Sequence, residues 1–259
     1  MRSIRLILIA AGVVFFLTAG GCAAKRERNV ITQVSTIDAI LAGAYGGFIT
    51  VEQLSQYGDT GIGTFDSLDG EMAFIDGRAY QVTGDGAVLT PSPQAASPFA
   101  SMVWFDADIQ FYVMNGDFEQ LSRVIEAAIN SPNTPAAVRI EGEFELVRTR
   151  SVPAQKRPYP PLAKVVKNQP EFIGQNIKGR IVGFWLPDFV SRINVPGYHL
   201  HFIADDGSMG GHLLDLNVKT AAVSIDLCDE IRVKLPVESE EFVRTDLKLD
   251  RTADLIQSE

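Results

Sequence analysis

The sequence contains few of the residues that build disulfides and soft-metal sites. Only two of its 259 residues are cysteine and only three are histidine. Cys22 lies within the N-terminal 24 residues, and Cys228 follows the apolar run at positions 221–227. A chain that loses or modifies Cys22 has no disulfide framework, so its hydrophobic core and any bound metal must stabilise the fold. Cys228 is interpreted as a small buried hydrophobic side chain.

Positive charge is also scarce. The chain has 23 Lys and Arg residues against 32 Asp and Glu residues, which gives a formal net charge of −9. Proteins that bind nucleic acid carry basic patches, so a nucleic-acid partner is not expected. Hydrophobic residues make up 46 % of the chain, which is enough to form the core of one large domain or of two small ones.

Residues 1–24 are typical of an export signal. Arg2 and Arg5 precede an apolar run at positions 6–17, and small residues follow at positions 19–21. The run is too short to span a membrane comfortably. Cys22 after small residues resembles a bacterial lipoprotein cleavage and lipidation site; cleavage after Ala24 by an ordinary signal peptidase and an uncleaved anchor are the alternatives. We therefore expect an exported protein, which touches a membrane only through a lipid on Cys22 or is free in the periplasm or medium.

Short strands separated by turn residues dominate the rest of the chain. Asp-Gly pairs at positions 69, 76 and 85 punctuate a meander, and Thr36, Thr50 and Asp117 occupy N-cap positions of helices. Four prolines between positions 151 and 161 mark a linker. The predicted fold class is α+β with mixed or antiparallel sheets, divided into an N-terminal half, residues 25–155, and a β-rich C-terminal half, residues 156–259, which contains the histidines.

All three histidines fall in one predicted β-hairpin. His199 and His201 are two apart in an apolar run, so both imidazoles leave the same face of a strand. Asp206-Gly207 favours a two-residue type I′ turn, and His201 and His212 are equally far from its centre. They would lie directly opposite one another, with Cβ atoms about 4.5–5.5 Å apart. The pattern predicts three imidazoles around one metal ion, unless a bulge at the glycines of positions 210–211 turns His212 away.

A single histidine in an apolar run is more often a hydrogen-bonded core residue, but the concentration of every histidine in one hairpin favours a metal site. Neutral imidazoles without cysteine suit Zn²⁺, while nickel, copper and iron remain open on ligand type alone. Three protein ligands leave a coordination position for water or substrate, which is the arrangement of catalytic metal sites.

Two arginines end the strand predicted at positions 137–150. Arg148 and Arg150 have the same parity as Ile140 and Phe144, which form its apolar face. An arginine that continues a buried face usually has an anionic partner or ligand. If the strand leaves the core after Val147, both arginines lie in water instead.

Three separated motifs resemble those of the bacterial alpha-acetolactate decarboxylase family. They are Tyr57-Gly-Asp-Thr-Gly-Ile-Gly-Thr-Phe-Asp-Ser-Leu-Asp-Gly-Glu-Met72, Val147-Arg-Thr-Arg-Ser-Val-Pro153, and the stretch from Pro196-Gly-Tyr-His-Leu-His-Phe202 to Gly-Gly-His212. The motifs occur in the expected order and spacing, and the resemblance extends from about Thr36 to the C-terminus.

The resemblance implies a zinc enzyme that decarboxylates 2-acetolactate to acetoin, with a metal-stabilised enediolate and stereocontrolled protonation. The zinc ligands that it implies are His199, His201 and His212. It matches Glu71 and Arg150 to the family's active-site glutamate and arginine. Glu259 is the nearest match to a further glutamate near the family's C-terminus, and a homodimer is suggested only by the same resemblance.

Two other functions remain open on the sequence. A zinc-dependent hydrolase would use metal-bound hydroxide on an ester or amide, with Glu71 as its acid or base. A non-catalytic, metal-binding surface lipoprotein would fill the fourth metal position with a protein group. Apart from the resemblance, Glu71 is simply an exposed first strand residue after an Asp-Gly turn.

Overall fold

The computed structural model describes residues 27–258 and confirms an α+β fold built on two main sheets and a few short helices. The strands are β1 (Val30–Val34), β2 (Ile49–Thr50), β3 (Thr60–Thr64), β4 (Glu71–Ile75), β5 (Arg78–Val82), β6 (Val88–Leu89), β7 (Ala96–Ser97), β8 (Phe99–Val103), β9 (Ile109–Asp117), β10 (Ala136–Arg150), β11 (Glu171–Leu186), β12 (Gly197–Ala204), β13 (Gly210–Leu227) and β14 (Glu230–Lys234). The helices are α1 (Ile37–Leu41), α2 (Val51–Leu54), α3 (Phe118–Ile129), α4 (Leu162–Val165), α5 (Glu240–Arg244) and α6 (Thr252–Ser258).

The first sheet has seven strands in the order β14-β1-β8-β3-β4-β5-β6. β4 and β5 form a hairpin of the predicted meander. The turn before β4 requires glycine, because Gly70 has a φ of +82° and a Cβ there would collide with the carbonyl oxygen of Val82. This turn fixes the point at which Glu71 enters the sheet.

The second sheet has five strands in the order β10-β11-β12-β13-β9. An additional pairing between β10 and β13 closes four of these strands into a ring. Apolar side chains inside the ring, including Phe144 and Phe202, form a core against which α3 packs through Leu121 and Ile125. The ring gives the strands that carry the histidines a rigid, doubly paired framework.

Both sheets take strands from either side of the division predicted near residue 155. β9 and β10 precede it and join the five-stranded sheet, whereas β14 follows it and joins the seven-stranded sheet. β14 pairs in parallel with β1, a contact between distant residues that no local pattern reveals. The division into residues 25–155 and 156–259 stays a prediction from the sequence. The two sheets do not coincide with these ranges, because each sheet contains strands from both.

The three predicted N-caps are confirmed. The Thr36 hydroxyl accepts a hydrogen bond from a backbone N–H of α1. Thr50 forms a capping box with Gln53, and Asp117 forms one with Gln120. Because the caps satisfy N–H groups that a helix leaves unpaired, even the four-residue α2 begins at a defined residue.

The two sheets pack face to face, and this packing sets the direction of the site residues. In β4, Ala73 and Ile75 belong to an apolar layer that also contains Ile203 of β12. Side chains of a strand alternate between its two faces. Glu71 is two residues before Ala73 in β4, and His201 is two residues before Ile203 in β12. Both side chains therefore point into the layer between the two sheets.

A β-bulge in β10 changes the face to which Arg150 belongs. The pairing of β10 with β13 shifts register between Phe144 and Leu146, which leaves Glu145 as the extra residue. Beyond the bulge, Val147 rather than Leu146 joins Phe144 in the core of the ring. Arg150 thus lies on the opposite face, toward the seven-stranded sheet, and the expectation that it continues the face of Phe144 is wrong.

The proline-rich segment 151–161 is packed against the first sheet. Its Ser151 hydroxyl donates to the Val82 carbonyl at 2.7 Å, and the carbonyl of Val152 accepts from the Gly70 N–H at 2.9 Å. These bonds hold the start of the segment beside the turn that precedes Glu71.

Two sequence predictions fall outside the described residues, namely the export signal with Cys22 and the C-terminal Glu259. Between residues 27 and 258, no helix has the length and apolarity that crossing a membrane requires. Cys228 is 1 % exposed, and burial raises the pKa of its thiol. It is the small buried residue that the sequence predicted.

Candidate metal centre and active site

β12 and β13 form the predicted histidine hairpin. His201 pairs directly with His212 across the two strands. Leu200 packs in the core of the ring, so its neighbours His199 and His201 face the seven-stranded sheet. Gly211 keeps its place in the ladder opposite β12, and His212 consequently stays on the same face as the other two imidazoles.

The turn of this hairpin is wider than predicted. The Gly207 N–H donates to the carbonyl of Ala204 at 3.0 Å, and of the pair Asp206-Gly207 only Gly207 has a positive φ, +69°. A type I′ turn needs positive φ at both positions, so the two-residue turn is wrong. The register survives because the Ala204 N–H still bonds to the Met209 carbonyl at 2.9 Å.

The three imidazoles converge in a buried cluster. One ring nitrogen from each of His199, His201 and His212 lies within 4.8 Å of the others. Within residues 27–258, His199 Nδ1 and His201 Nε2 are buried without a hydrogen-bond partner, although buried polar atoms are rarely left unpaired. An unpaired imidazole nitrogen offers the lone pair that a metal ion binds. The cluster therefore fits a three-histidine metal site.

The seven-stranded sheet orients His201. Its Nδ1 lies 2.8 Å from the backbone oxygen of Met72 in β4. Since a carbonyl only accepts hydrogen bonds, Nδ1 carries the proton and Nε2 keeps its lone pair. A bond of this kind to the far nitrogen fixes the tautomer and ring orientation of a metal-binding histidine. The sheet that lacks histidine thus positions one of the ligands.

Burial keeps the imidazoles neutral. It lowers the pKa of His201 to about 4, against the opposing effect of the Met72 carbonyl. Burial also lowers the pKa of His199 and of His212 well below the ordinary value, and the positive charge of Arg150 acts in the same direction. Because the neutral form of imidazole is the one that binds metal, the folded protein holds all three side chains in the protonation state that metal binding requires.

Glu71 reaches the histidine cluster from the other sheet. Its Oε2 lies 3.5 Å from Nε2 of His201, and its side chain is only 14 % exposed. The alternative of an ordinary exposed strand residue is therefore wrong. Burial raises the pKa of this carboxyl to about 7, and the charge of Arg150 partly offsets that rise. Glu71 can consequently hold or release a proton near neutral pH.

Arg148 and Arg150 have different surroundings despite their equal parity. Arg150 is 6 % exposed and pairs in the ladder with His212, so its side chain lies beside the cluster. One Nη2–H of Arg150 donates to the carbonyl of Ser258 at the end of α6. The side chain of Arg148 is 39 % exposed and contacts Glu171 at 3.2 Å. Only Arg150 belongs to the site.

A cavity of about 60 Å³ lies beside the cluster. Glu71, Arg150, His199 and His212 contribute to its wall. Among the other residues of the wall, sequence reasoning did not single out the polar or aromatic side chains of Thr64, Phe99, Gln169 and Ser258. The motif around Glu71 contained Thr64, but the others carry no local signal. Ser258 in particular ends a helix, α6, where the sequence indicated only a polar tail.

The model of one protein family, described as alpha-acetolactate decarboxylase, matches residues 31–249. This range contains every strand that contributes to the site. The chain belongs to the alpha-acetolactate decarboxylase family. The family model ends before Ser258 and Glu259 and begins after the N-terminal segment, so neither the C-terminal glutamate nor the leader is covered by it.

Individual members of the family cover most of the chain. The alpha-acetolactate decarboxylase of Methanosarcina mazei is 40 % identical over 228 residues, which are 88 % of this chain and 79 % of that protein. The one from Methylococcus capsulatus is 39 % identical over 222 residues, 85 % of each chain. The crystal structure of the Bacillus subtilis strain 168 alpha-acetolactate decarboxylase matches with a TM-score of 0.86 at 35 % identity, over 89 % of this chain and 99 % of that chain.

Proposed function

We propose that this member of the family decarboxylates 2-acetolactate to acetoin, as a carboxy-lyase. The observation that carries the proposal is a cluster of three neutral histidines beside a cavity whose wall also contains Glu71 and Arg150. Metal ligands, a proton carrier and a fixed positive charge are the groups that this reaction requires.

The substrate's own chemistry explains the requirement. Acetolactate is a β-keto acid, so loss of CO₂ drives an electron pair toward the ketone oxygen, where the negative charge creates the main barrier. Zinc is the metal we propose for the histidines, and when bound it supplies Lewis-acid charge for that oxygen, worth several kcal/mol. Neutral ligands suit this task because they leave the positive charge of the ion undiminished.

Arg150 is placed to orient the substrate carboxylate. Its planar guanidinium can hold a carboxylate through two parallel hydrogen bonds, and the Ser258 carbonyl already fixes one of its arms. Too strong a hold on the ground-state carboxylate would oppose its departure, since only interactions that strengthen in the transition state speed the reaction. The contribution of Arg150 is therefore orientation more than affinity.

Glu71 is placed to deliver the proton that replaces CO₂. A pKa of about 7 makes both protonation states accessible at neutral pH, although a nearby dication would lower this value. Because Glu71 approaches from one sheet only, it would protonate one face of the electron-rich carbon and fix the handedness of acetoin. Its distance from His201 also lets it ligate the metal instead.

The decisive experiment is incubation of purified, metal-analysed protein with racemic acetolactate. We expect acetoin of one predominant handedness, with activity that is lost on chelation and restored by zinc. Assays of ester and amide hydrolysis on the same preparation distinguish a hydrolase. A metal-loaded protein that leaves acetolactate untouched would contradict the proposal and favour a non-catalytic metal-binding protein.

We also propose that the protein is exported and that Cys22 carries a lipid, because residues 1–24 have the composition of a lipoprotein signal. Mass spectrometry of the protein from its membrane fraction tests this: a lipidated N-terminus at Cys22 supports it, and a free N-terminus after Ala24 contradicts it. A homodimer, suggested by the family resemblance, is testable by light scattering of the same material.

A further inference from the structure

Gln169 lies in the wall of the cavity that contains Glu71 and Arg150. Its amide oxygen, Oε1, is buried and makes no hydrogen bond to any group in the described part of the chain. An acceptor left in this state is costly, by an amount comparable to a lost hydrogen bond. A polar atom of this kind in an active-site wall therefore suggests a hydrogen-bond donor on the bound ligand.

The backbone holds Gln169 against the strand that carries Arg150. The Gln169 N–H donates to the carbonyl of Val166 at 3.3 Å, and the next residue, Pro170, accepts from the N–H of Ser151 at 3.3 Å. Ser151 directly follows Arg150 in the chain. The amide side chain is thus attached to a fixed part of the site and not to a freely moving loop.

We propose that Gln169 recognises the tertiary hydroxyl group of the substrate and thereby selects 2-hydroxy-3-keto acids from other β-keto acids. This inference rests on the proposed decarboxylase function. Acetolactate has a single hydrogen-bond donor, its C2 hydroxyl, and its carboxylate and ketone only accept. Arg150 supplies donors for the carboxylate, whereas the amide oxygen of Gln169 supplies an acceptor for the hydroxyl.

Glutamine has an advantage over a carboxylate in this role. An amide does not titrate, so its oxygen can accept from the hydroxyl at any pH at which the protein is folded. It also adds no negative charge that would repel the substrate carboxylate or compete for Arg150. Gln169 is accordingly a specificity-determining residue, and proton transfer is left to Glu71.

The test compares acetolactate with 2-methyl-3-oxobutanoate, which lacks the hydroxyl, by CO₂ release above the spontaneous rate. In the wild-type protein we expect kcat/KM to favour acetolactate. Gln169→Leu should lower kcat/KM for acetolactate about tenfold and leave that for the analogue unchanged or higher. Gln169→Glu, which keeps an oxygen acceptor of the same length, should retain the preference even at a lower overall rate. Gln175→Leu, at an exposed glutamine of β11, is the matched control.

Metal content and thermal midpoint are measured for every variant, so that a folding defect is recognised. A fall in both rates together in Gln169→Leu, or an unchanged preference in a folded Gln169→Leu, overturns the inference and leaves the decarboxylase function intact. If Gln169→Leu does not fold, loss of the preference in Gln169→Glu overturns it equally. Absence of acetoin formation by the wild-type protein would instead contradict the proposed function.

Discussion

The two sheets contribute to the site in opposite ways. The five-stranded sheet supplies three bases and a cation, with Arg150, His212 and His201 paired in register across three strands. The seven-stranded sheet supplies the acid Glu71 and the carbonyl of Met72. The candidate metal ligands thus come from strand pairing within one sheet, whereas Glu71, the proposed proton carrier, comes from the packing of one sheet on another.

Burial has opposite effects on the pKa values of the two sides. It lowers those of the histidines and raises that of Glu71, because a low-dielectric interior disfavours whichever form is charged. Both sides are therefore driven toward neutrality in the protein alone. A bound dication would lower the pKa of Glu71 and so favour its charged form. Substitutions and changes of pH can therefore distinguish the contributions of the two sheets.

The largest effect is expected from removing a ligand on the five-stranded sheet. His201→Ala should abolish metal binding and reduce decarboxylation to background, because two imidazoles do not complete the site. Metal analysis and acetoin formation measure the two losses, and circular dichroism checks the fold. Retention of stoichiometric zinc with normal turnover would remove His201 from the metal site.

A smaller loss is expected from the seven-stranded sheet. Glu71→Gln keeps the shape of the side chain but cannot carry a proton, so kcat should fall by about 10²–10⁴-fold with metal content unchanged. The acetoin that remains should also lose its handedness. Glu230→Gln, at an exposed position of the same sheet, serves as the control; loss of metal from Glu71→Gln would identify a ligand instead.

Acidification should destabilise the metal-free protein. The pKa of His201 is lowered from 6.5 to about 4 in the folded protein. Between these pH values the imidazole is protonated in the unfolded state but neutral in the folded state, so the free energy of unfolding falls as the pH falls. His201 alone then costs about 3 kcal/mol of stability by pH 4. The raised pKa of Glu71 has the opposite effect on stability. Because three imidazoles have lowered pKa values and only one carboxyl has a raised one, we expect a net loss of stability.

Denaturant unfolding of chelator-treated protein at pH 7 and pH 5 measures this loss. The same pair of measurements on His201→Asn should show a smaller difference, since one of the three imidazoles is gone. Equal stability of the unsubstituted metal-free protein at both pH values would mean that the histidines are not buried as neutral bases.

The smallest loss of activity is expected from Arg150→Lys in β10, and the same substitution at Arg148 in that strand is its control. Arg150→Lys should fold and bind metal but lose about 2 kcal/mol of transition-state stabilisation, roughly thirtyfold in kcat/KM, since a point charge does not reproduce the planar fork. Arg148→Lys should leave kcat/KM unchanged because Arg148 contacts Glu171 at the surface. Equal effects at the two positions would contradict their assignment to opposite environments.

The sequence by itself determined the histidine cluster. Spacing placed His199 and His201 on one face of a strand, and their position relative to Asp206-Gly207 paired His201 with His212, even though the turn has another conformation. Helix caps at Thr36, Thr50 and Asp117 were equally readable. These features depend on residues close together in the chain, where periodicity and turn preference act directly.

Spacing and turn preference did not indicate which other residues join the histidines: the family resemblance named Glu71 and Arg150, and the tertiary structure decided how they and Gln169 reach the site. The bulge at Glu145 gave Arg150 its face, the packing of β4 on β12 brought Glu71 to His201, and the segment after α4 placed Gln169 in the cavity. Each depends on contacts between residues distant in sequence, which are set by how two sheets and a closed ring of strands fill one core. Local patterns carry no record of such packing.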